Sequence, residues 1–295
     1  MKKIGFIDYF LNEWHADNYP AWIRERSGGA CEVAYAYALA EPPYEGKLSN
    51  AEWARKHGIT LLGSIEELVE KSDAIVVLSP DHPQFHKELS RIPLMSQKPV
   101  YIDKTFATTG QEAKEIFALA ASNGTPCYSS SALRFSKKLQ AMKTAPVQGI
   151  ISTAGGPVDT YLIHQLEPIV TLMGPEIDRI MYLGNPMMPS WELHFRDGRT
   201  ASMALFKGDA PFRLQIGYED RSAELLVDDD FFLYFIDAML EFFDTGIIPV
   251  PHRETITMMA ALEACWKAMA TPGEWLMLEM DQILNDALAR SQNES

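Results

Sequence analysis

The spacing of apolar residues changes character near residue 125, and that change divides the chain. Before it, short apolar runs alternate with segments of helical spacing. Ile4-Gly5-Phe6-Ile7 is a strand ended by Asp8, and Cys31 to Tyr37 alternates small and aromatic residues as a second. Ser49 caps a helix through His57 that Gly58 closes. Ser64-Ile65-Glu66-Glu67 is a capping box opening a helix to about Lys71. Asp73 to Ser79 reads as a buried strand stopped by Pro80, and Pro99 to Asp103 as another. Thr109-Gly110-Gln111-Glu112 is a second capping box, leading a helix through Ala121 with Gly124 at its end. Strands that alternate with helices in this way predict a parallel sheet.

Beyond Thr125 the pattern is different. Trp191 to Phe195 alternates, Asp197-Gly198 supplies a hairpin turn, and Thr200 to Phe206 returns. Arg213 to Tyr218 and Ala223 to Val227 continue as short strands. Asp228-Asp229-Asp230 precedes an apolar helix, Phe231 to Thr245, ended by Gly246, and a long helix runs from about Glu254 to Met269. The expected architecture is α/β. A Rossmann-like parallel-sheet domain spans 1–124, and an α+β domain with a mainly antiparallel open sheet spans 125–295. A chain of 295 residues suits two such domains. The C-terminal helices can cover only one face of the second sheet, so a homodimer or higher homo-oligomer is expected to bury the other.

Charge and cysteine content narrow the partners. A net charge of −14 argues against nucleic acid and anionic membrane surfaces, whose phosphates need a basic face. No apolar run approaches the length of a membrane span, and Asp8 interrupts the only start resembling a signal peptide. Cys31, Cys127 and Cys265 are widely spaced, as befits reduced buried thiols in a cytoplasm. A small-molecule substrate is the remaining partner.

The candidate chemistry lies at strand ends. A dinucleotide fingerprint would place G-x-G-x-x-G after the first strand, but Asp8, Phe10 and Glu13 hold those three positions. Glycines there permit a tight turn and close approach of backbone amides to a pyrophosphate. Two acids in their place predict weak nucleotide affinity. Lys104 ends a buried strand at the carboxyl edge of the parallel sheet, where ligands collect, or else forms an ion pair with Asp103 or another acid. His164 sits among Leu162, Leu166, Ile169 and Val170 at helical spacing, as a core histidine or a base, with Glu167 one turn on to orient it. Glu13, His15 and Asp17 form a polar cluster that also reads as a solvated helix face. His82 and His86, four apart, could share a helix face and with His15 or Asp8 would supply metal ligands, but no metal is expected.

Four local matches carry a resemblance to the Gfo/Idh/MocA family. Ser79-Pro80-Asp81-His82-Pro83-Gln84-Phe85-His86 is similar to its T-P-N-x-x-H segment. Lys98-Pro99-Val100-Tyr101-Ile102-Asp103-Lys104-Thr105 is similar to G-K-x-V-x-x-E-K-P, with Asp103 for Glu and Thr105 for Pro. Leu162 to Glu167, followed by Leu172-Met173-Gly174, resembles G-x-H-x-x-D and W-L-x-G, and Phe242 through Pro249 to Trp266 resembles the family's closing segment. The resemblance implies an oxidoreductase acting on a sugar- or cyclitol-like alcohol with NAD or NADP. Lys104 and His164 would face the reacting hydroxyl, His164 taking its proton, and the two should therefore lie close in space.

Asp8, Tyr9, Phe10, Ser79, Pro80, His82 and Asp103 would then line the cofactor, and Arg134, Tyr161, Glu167 and His15 the substrate. Arg134-Phe135 resembles N-x-R-F, as a substrate or a structural contact. The supporting acid four residues before the histidine is Thr160 here, with Asp159 adjacent, and Glu41 is the nearest acid to the expected ribose position. The alternative is a relative that has lost dinucleotide use and binds a metabolite or catalyses a metal-assisted, non-redox reaction. A non-catalytic sensor is the third reading.

Overall fold

A computed structural model describes residues 1–43 and 45–279. It divides into two compact units: Met1–Ala107 with Glu115–Ser130 and Leu233–Pro251, and Thr108–Lys114 with Ser131–Phe232 and the chain from His252 on. The elements run β1 (Lys2–Asp8), α1 (Trp14–Arg26), β2 (Cys31–Ala38), α2 (Asn50–His57), β3 (Thr60–Leu61), α3 (Ile65–Lys71), β4 (Ala74–Val77), α4 (His86–Ser90), β5 (Val100–Ile102), α5 (Gly110–Ser122) and β6 (Cys127–Tyr128). They continue α6 (Lys137–Gln140), β7 (Gly149–Gly155), α7 (Val158–Met173), β8 (Ile177–Tyr182), β9 (Ser190–Phe195), β10 (Thr200–Phe206), β11 (Arg213–Gly217), β12 (Ser222–Leu226), α8 (Phe231–Thr245), α9 (His252–Ala268) and β13 (Trp275–Met277).

The first unit is built on a sheet of order β3-β2-β1-β4-β5-β6, every neighbouring pair parallel. That is the doubly wound order, and its strand order reverses between β1 and β4, where such folds place ligands. The strands are continuous apolar runs because helices cover both faces; all of β4 is buried. Gly5 has a packing reason, since a Cβ there would come within 2.4 Å of Leu68 and 2.5 Å of Ser72 on α3. The helix ends follow the sequence signals. Ser49 and Glu52 form the reciprocal capping box of α2, and Gly58 closes it at φ +67°. At α5, Thr109 receives the Glu112 amide, but the Glu112 carboxylate reaches one residue further back, to the Thr108 N–H at 2.8 Å and its hydroxyl at 2.6 Å.

The second unit holds a seven-stranded sheet, β12-β11-β7-β10-β9-β8-β13. Its pairs are antiparallel except β7 with β10, which is parallel. The parallel pair goes beyond the sequence reading, which had no strand before Trp191. Gly149-Ile150-Ile151-Ser152-Thr153-Ala154-Gly155 is short of apolar alternation, and its place in the sheet comes from pairing with two neighbours. Trp191, Leu193 and Phe195 of β9 and Ala201, Met203 and Leu205 of β10 point inward and are buried. The three cysteines are buried and form no disulfide, Cys31 and Cys127 in the first unit and Cys265 in the second. No helix among the described residues is long and apolar enough to cross a membrane.

Candidate functional site

At the carboxyl edge of the first sheet, three strands deliver the polar residues. Asp8 ends β1, Ser79 follows β4, and Asp103 and Lys104 follow β5. Asp8 is buried, and its Oδ1 accepts the Tyr9 N–H at 2.6 Å and the Ser79 hydroxyl at 3.1 Å. Ser79 lies in the left-handed region at φ +74°, rare for a residue with a Cβ and common at functional turns. That conformation sets its hydroxyl between Asp8 and the Tyr9 amide, 2.8 Å away. Burial raises the Asp8 carboxyl well above the usual carboxylate range, against the hydrogen bonds from Tyr9 and Ser79.

Asp103 is the opposite case. Burial opposes its ionisation, yet the charge and hydrogen bond of His15, followed by Lys104 and the Tyr101 hydroxyl, hold it down at about 2. His15 Nδ1 stands 2.5 Å from Asp103 Oδ2, while Oδ1 accepts the Tyr101 hydroxyl and the Lys104 N–H, both at 2.9 Å. Burial pulls the His15 imidazole down, but Asp103 outweighs it and raises the group overall. The acid beside Lys104 is thus already paired with His15. The Lys104 ammonium is buried and meets the Pro80 carbonyl at the long distance of 3.4 Å. Among the described residues no carboxylate oxygen lies within salt-bridge distance of it, although its charge helps to keep Asp103 ionised.

The polar cluster after β1 is not a solvated face. Glu13 is the N-cap of α1, and its carboxylate accepts the N–H groups of His15, at 2.8 Å, and of Ala16. His15 turns inward to Asp103, and Asp17 accepts the Trp53 indole N–H at 2.8 Å. Tyr9 stacks on His82 (4.5 Å) and Phe85 (4.6 Å), and Phe10 meets His82 edge-on at 5.6 Å. His86 is buried with Nε2 2.6 Å from the Leu78 carbonyl and Nδ1 3.1 Å from that of Phe106. With a carbonyl at each nitrogen it is a core histidine, and no metal-binding cluster occurs among the described residues.

In the second unit, α7 carries His164 and Glu167. Ser131 Oγ lies 2.8 Å from His164 Nδ1, and the Ser131 N–H donates to Glu167 Oε2 at 2.9 Å. The Arg134 guanidinium pairs with Glu167 through Nε and with Glu254 through Nη1 at 2.7 Å. Glu167 therefore reaches His164 through Ser131 rather than directly, because the buried guanidinium holds its other oxygen. Arg134 bridges two carboxylates, and its Nη2 is buried with no hydrogen-bond partner among the described residues. Tyr161, partly exposed, meets the His164 ring at 5.6 Å, and Phe212 closes the aromatic set. Asp159 is exposed on the first turn of α7. Ser131 was not singled out in the sequence, and only its place three residues before Arg134 in Ser131-Ala132-Leu133-Arg134 pointed to it. A separate recess of about 580 Å³ between α9, β13 and the start of α5 contains none of these residues.

Residues 40–130 match the model of the family described as an oxidoreductase family with an NAD-binding Rossmann fold, Gfo/Idh/MocA. No curated protein matches the chain. Among solved structures, scyllo-inositol dehydrogenase from Lactobacillus casei, with bound NAD(H) and scyllo-inositol, aligns at a TM-score of 0.78 and 13% identity, covering 94% of this chain and 99% of that one. The myo-inositol 2-dehydrogenase from Lactobacillus plantarum aligns at 0.77 and 15%, with 94% and 99% covered. UDP-N-acetylglucosamine 3-dehydrogenase from Acidithiobacillus ferrooxidans aligns at 0.75 and 14%, with 90% and 97% covered. These identities establish a shared fold. The family match over β3 to β6 and the doubly wound sheet followed by a large mixed sheet make the chain similar to the Gfo/Idh/MocA oxidoreductases.

Proposed function

We propose that the chain acts on a sugar- or cyclitol-like metabolite, with Lys104 polarising a substrate oxygen and His164 accepting the hydroxyl proton. The observation that carries this reading is the Lys104 ammonium, buried at a ligand-collecting edge, outside salt-bridge distance of any described carboxylate and held by one long contact. A buried cation in that state gains from an oxygen acceptor, and a neutral hydroxyl supplies one without the cost of burying a second charge. Asp103 fixes the backbone of Lys104 while its own charge is spent on His15. Ser131 Oγ beside His164 Nδ1 orients the ring that would take the proton, which makes Ser131 a positioning residue. Tyr161 is assigned to the substrate side of the ring.

NAD or NADP is the hydride acceptor that the family resemblance suggests. The loop after β1 fits its pyrophosphate poorly, since the Tyr9, Leu11, His15 and Ala16 amides are taken by the chain itself. No step is therefore routed through it. That same observation favours a second reading, in which the acid–base pair works on the metabolite without redox. The open face of the second sheet is assigned to a homodimer, for which light scattering should give twice the mass of one chain.

The test is a panel of cyclitols and hexoses followed by saturation-transfer NMR on the wild type, Lys104→Met and His164→Ala. A response lost in Lys104→Met supports the reading, and no response from the wild type to any member sinks it. Ser131→Ala should move the His164 tautomer balance in nitrogen-15 spectra and Ser131→Thr should restore it; an unchanged spectrum removes Ser131 from the scheme.

A further inference from the structure

We infer that the β1–α1 edge is permanently occupied by the chain's own side chains, with Glu13 standing where a pyrophosphate would sit, so that no nicotinamide dinucleotide is held there. The inference rests on the second reading above and gives it a mechanism.

A phosphate binds a helix N-terminus because the first-turn N–H groups have no partner inside the helix. Here the His15 and Ala16 amides both point to the Glu13 carboxylate, one to each oxygen. Three amides of the preceding loop are engaged as well. The Tyr9 N–H goes to Asp8 and Ser79, Leu11 N–H to Asn50 Oδ1 at 2.9 Å, and Glu13 N–H to the Leu11 carbonyl at 2.9 Å. An incoming pyrophosphate would find its donors paired.

The neighbouring features agree. Asn50 also donates its Nδ2 to the Ala40 carbonyl at 2.8 Å and its N–H to Glu41 Oε2 at 2.9 Å. Glu41 is the acid nearest the position where a ribose would be read, and it is engaged in closing the loop. Phe10 is buried where a glycine would admit a ligand's phosphates. Asp8 Oδ2 is buried with no hydrogen-bond partner among the described residues. A dinucleotide would have to expel one carboxylate and lie beside another. An uncharged metabolite at Lys104 meets neither obstacle.

Calorimetry with NAD, NADH, NADP and NADPH on the full chain tests this. The wild type should give no saturable binding up to about 1 mM, the weak end of specific affinity. Glu13→Gly removes the carboxylate and keeps an accepted N-cap residue, so it should fold and gain at least about tenfold in affinity. A micromolar dissociation constant for the wild type overturns the inference, and so does a folded Glu13→Gly with no gain. Should that variant lose its circular-dichroism signature, the wild type still decides. Its His15 and Ala16 amide resonances should shift together as the Glu13 carboxyl titrates, and flat resonances sink the proposal. Polyol binding is measured separately on nucleotide-free protein. Its survival alongside tight NAD binding would end this inference while leaving the Lys104 reading in place.

Discussion

Two edges of one sheet have been treated in opposite ways. At β1 the chain supplies acceptors to the Tyr9, Leu11, His15 and Ala16 amides and buries Asp8 against them. At β5 it leaves the Lys104 ammonium with one long contact. Both edges lie at the switch point or beside it, so the fold alone does not decide which is a site. The difference lies in hydrogen-bond accounting: a position that completes its own bonds has nothing to offer a ligand, and one that does not is still poised for it. The family match begins at residue 40, past β1, α1 and β2, and includes β5.

Four measurements can break or sharpen that contrast. Asp103→Asn strikes the β5 edge hardest, since it leaves His15 buried without its counter-ion. We expect a loss of about 3 kcal/mol in denaturant unfolding, the low end for a broken buried pair because the imidazole can shed its proton. Lys104→Met should leave stability within about 1 kcal/mol while any turnover of a polyol falls at least about 100-fold, as for a lost electrostatic donor. A variant that keeps its turnover removes Lys104 from the chemistry. At the β1 edge, Asn50→Ala strands the buried Leu11 N–H and should cost about 1–3 kcal/mol with no change in polyol response.

The smallest effect is on the pH dependence of stability. Burial and the nearby Asp8 raise the Glu13 carboxyl to about 8, against the two amide bonds that lower it. A raised acid keeps its proton in the folded chain after the unfolded chain has released it. Stability from this group is therefore full below the ordinary glutamate range and declines as pH rises towards about 8. Glu13→Gln should flatten that slope. An unchanged slope would place the titration elsewhere.

Much of this was legible in the residues. Capping signals at Ser49 and Thr109 located their helices, and the Asp197-Gly198 turn located a hairpin, because such signals are local. The missing glycines after Ile7 correctly marked a changed loop. What the sequence did not disclose was where the replacing side chains go. Glu13 and Asp8 read as bare charges facing a phosphate, whereas Glu13 curls onto its own helix and Asp8 is buried. Ser131 and Asn50 were invisible for a related reason: each works through partners remote in sequence, 33 residues to His164 and 39 to Leu11. Strand β7 escaped because its small and polar residues acquire strand character only by pairing between β10 and β11.

The buried cysteines carry a consequence of their own. Burial raises the Cys127 and Cys265 thiols strongly, so neither reacts until its surroundings open. Cys127 lies on a strand of the first unit and Cys265 on a helix of the second. The chain thus contains two clocks, one in each unit. With Cys31 replaced by serine, the rates at which a thiol reagent consumes the other two report how often each unit breathes, without any introduced label. Equal rates would mean that the two units open together, and unequal ones would show which yields first.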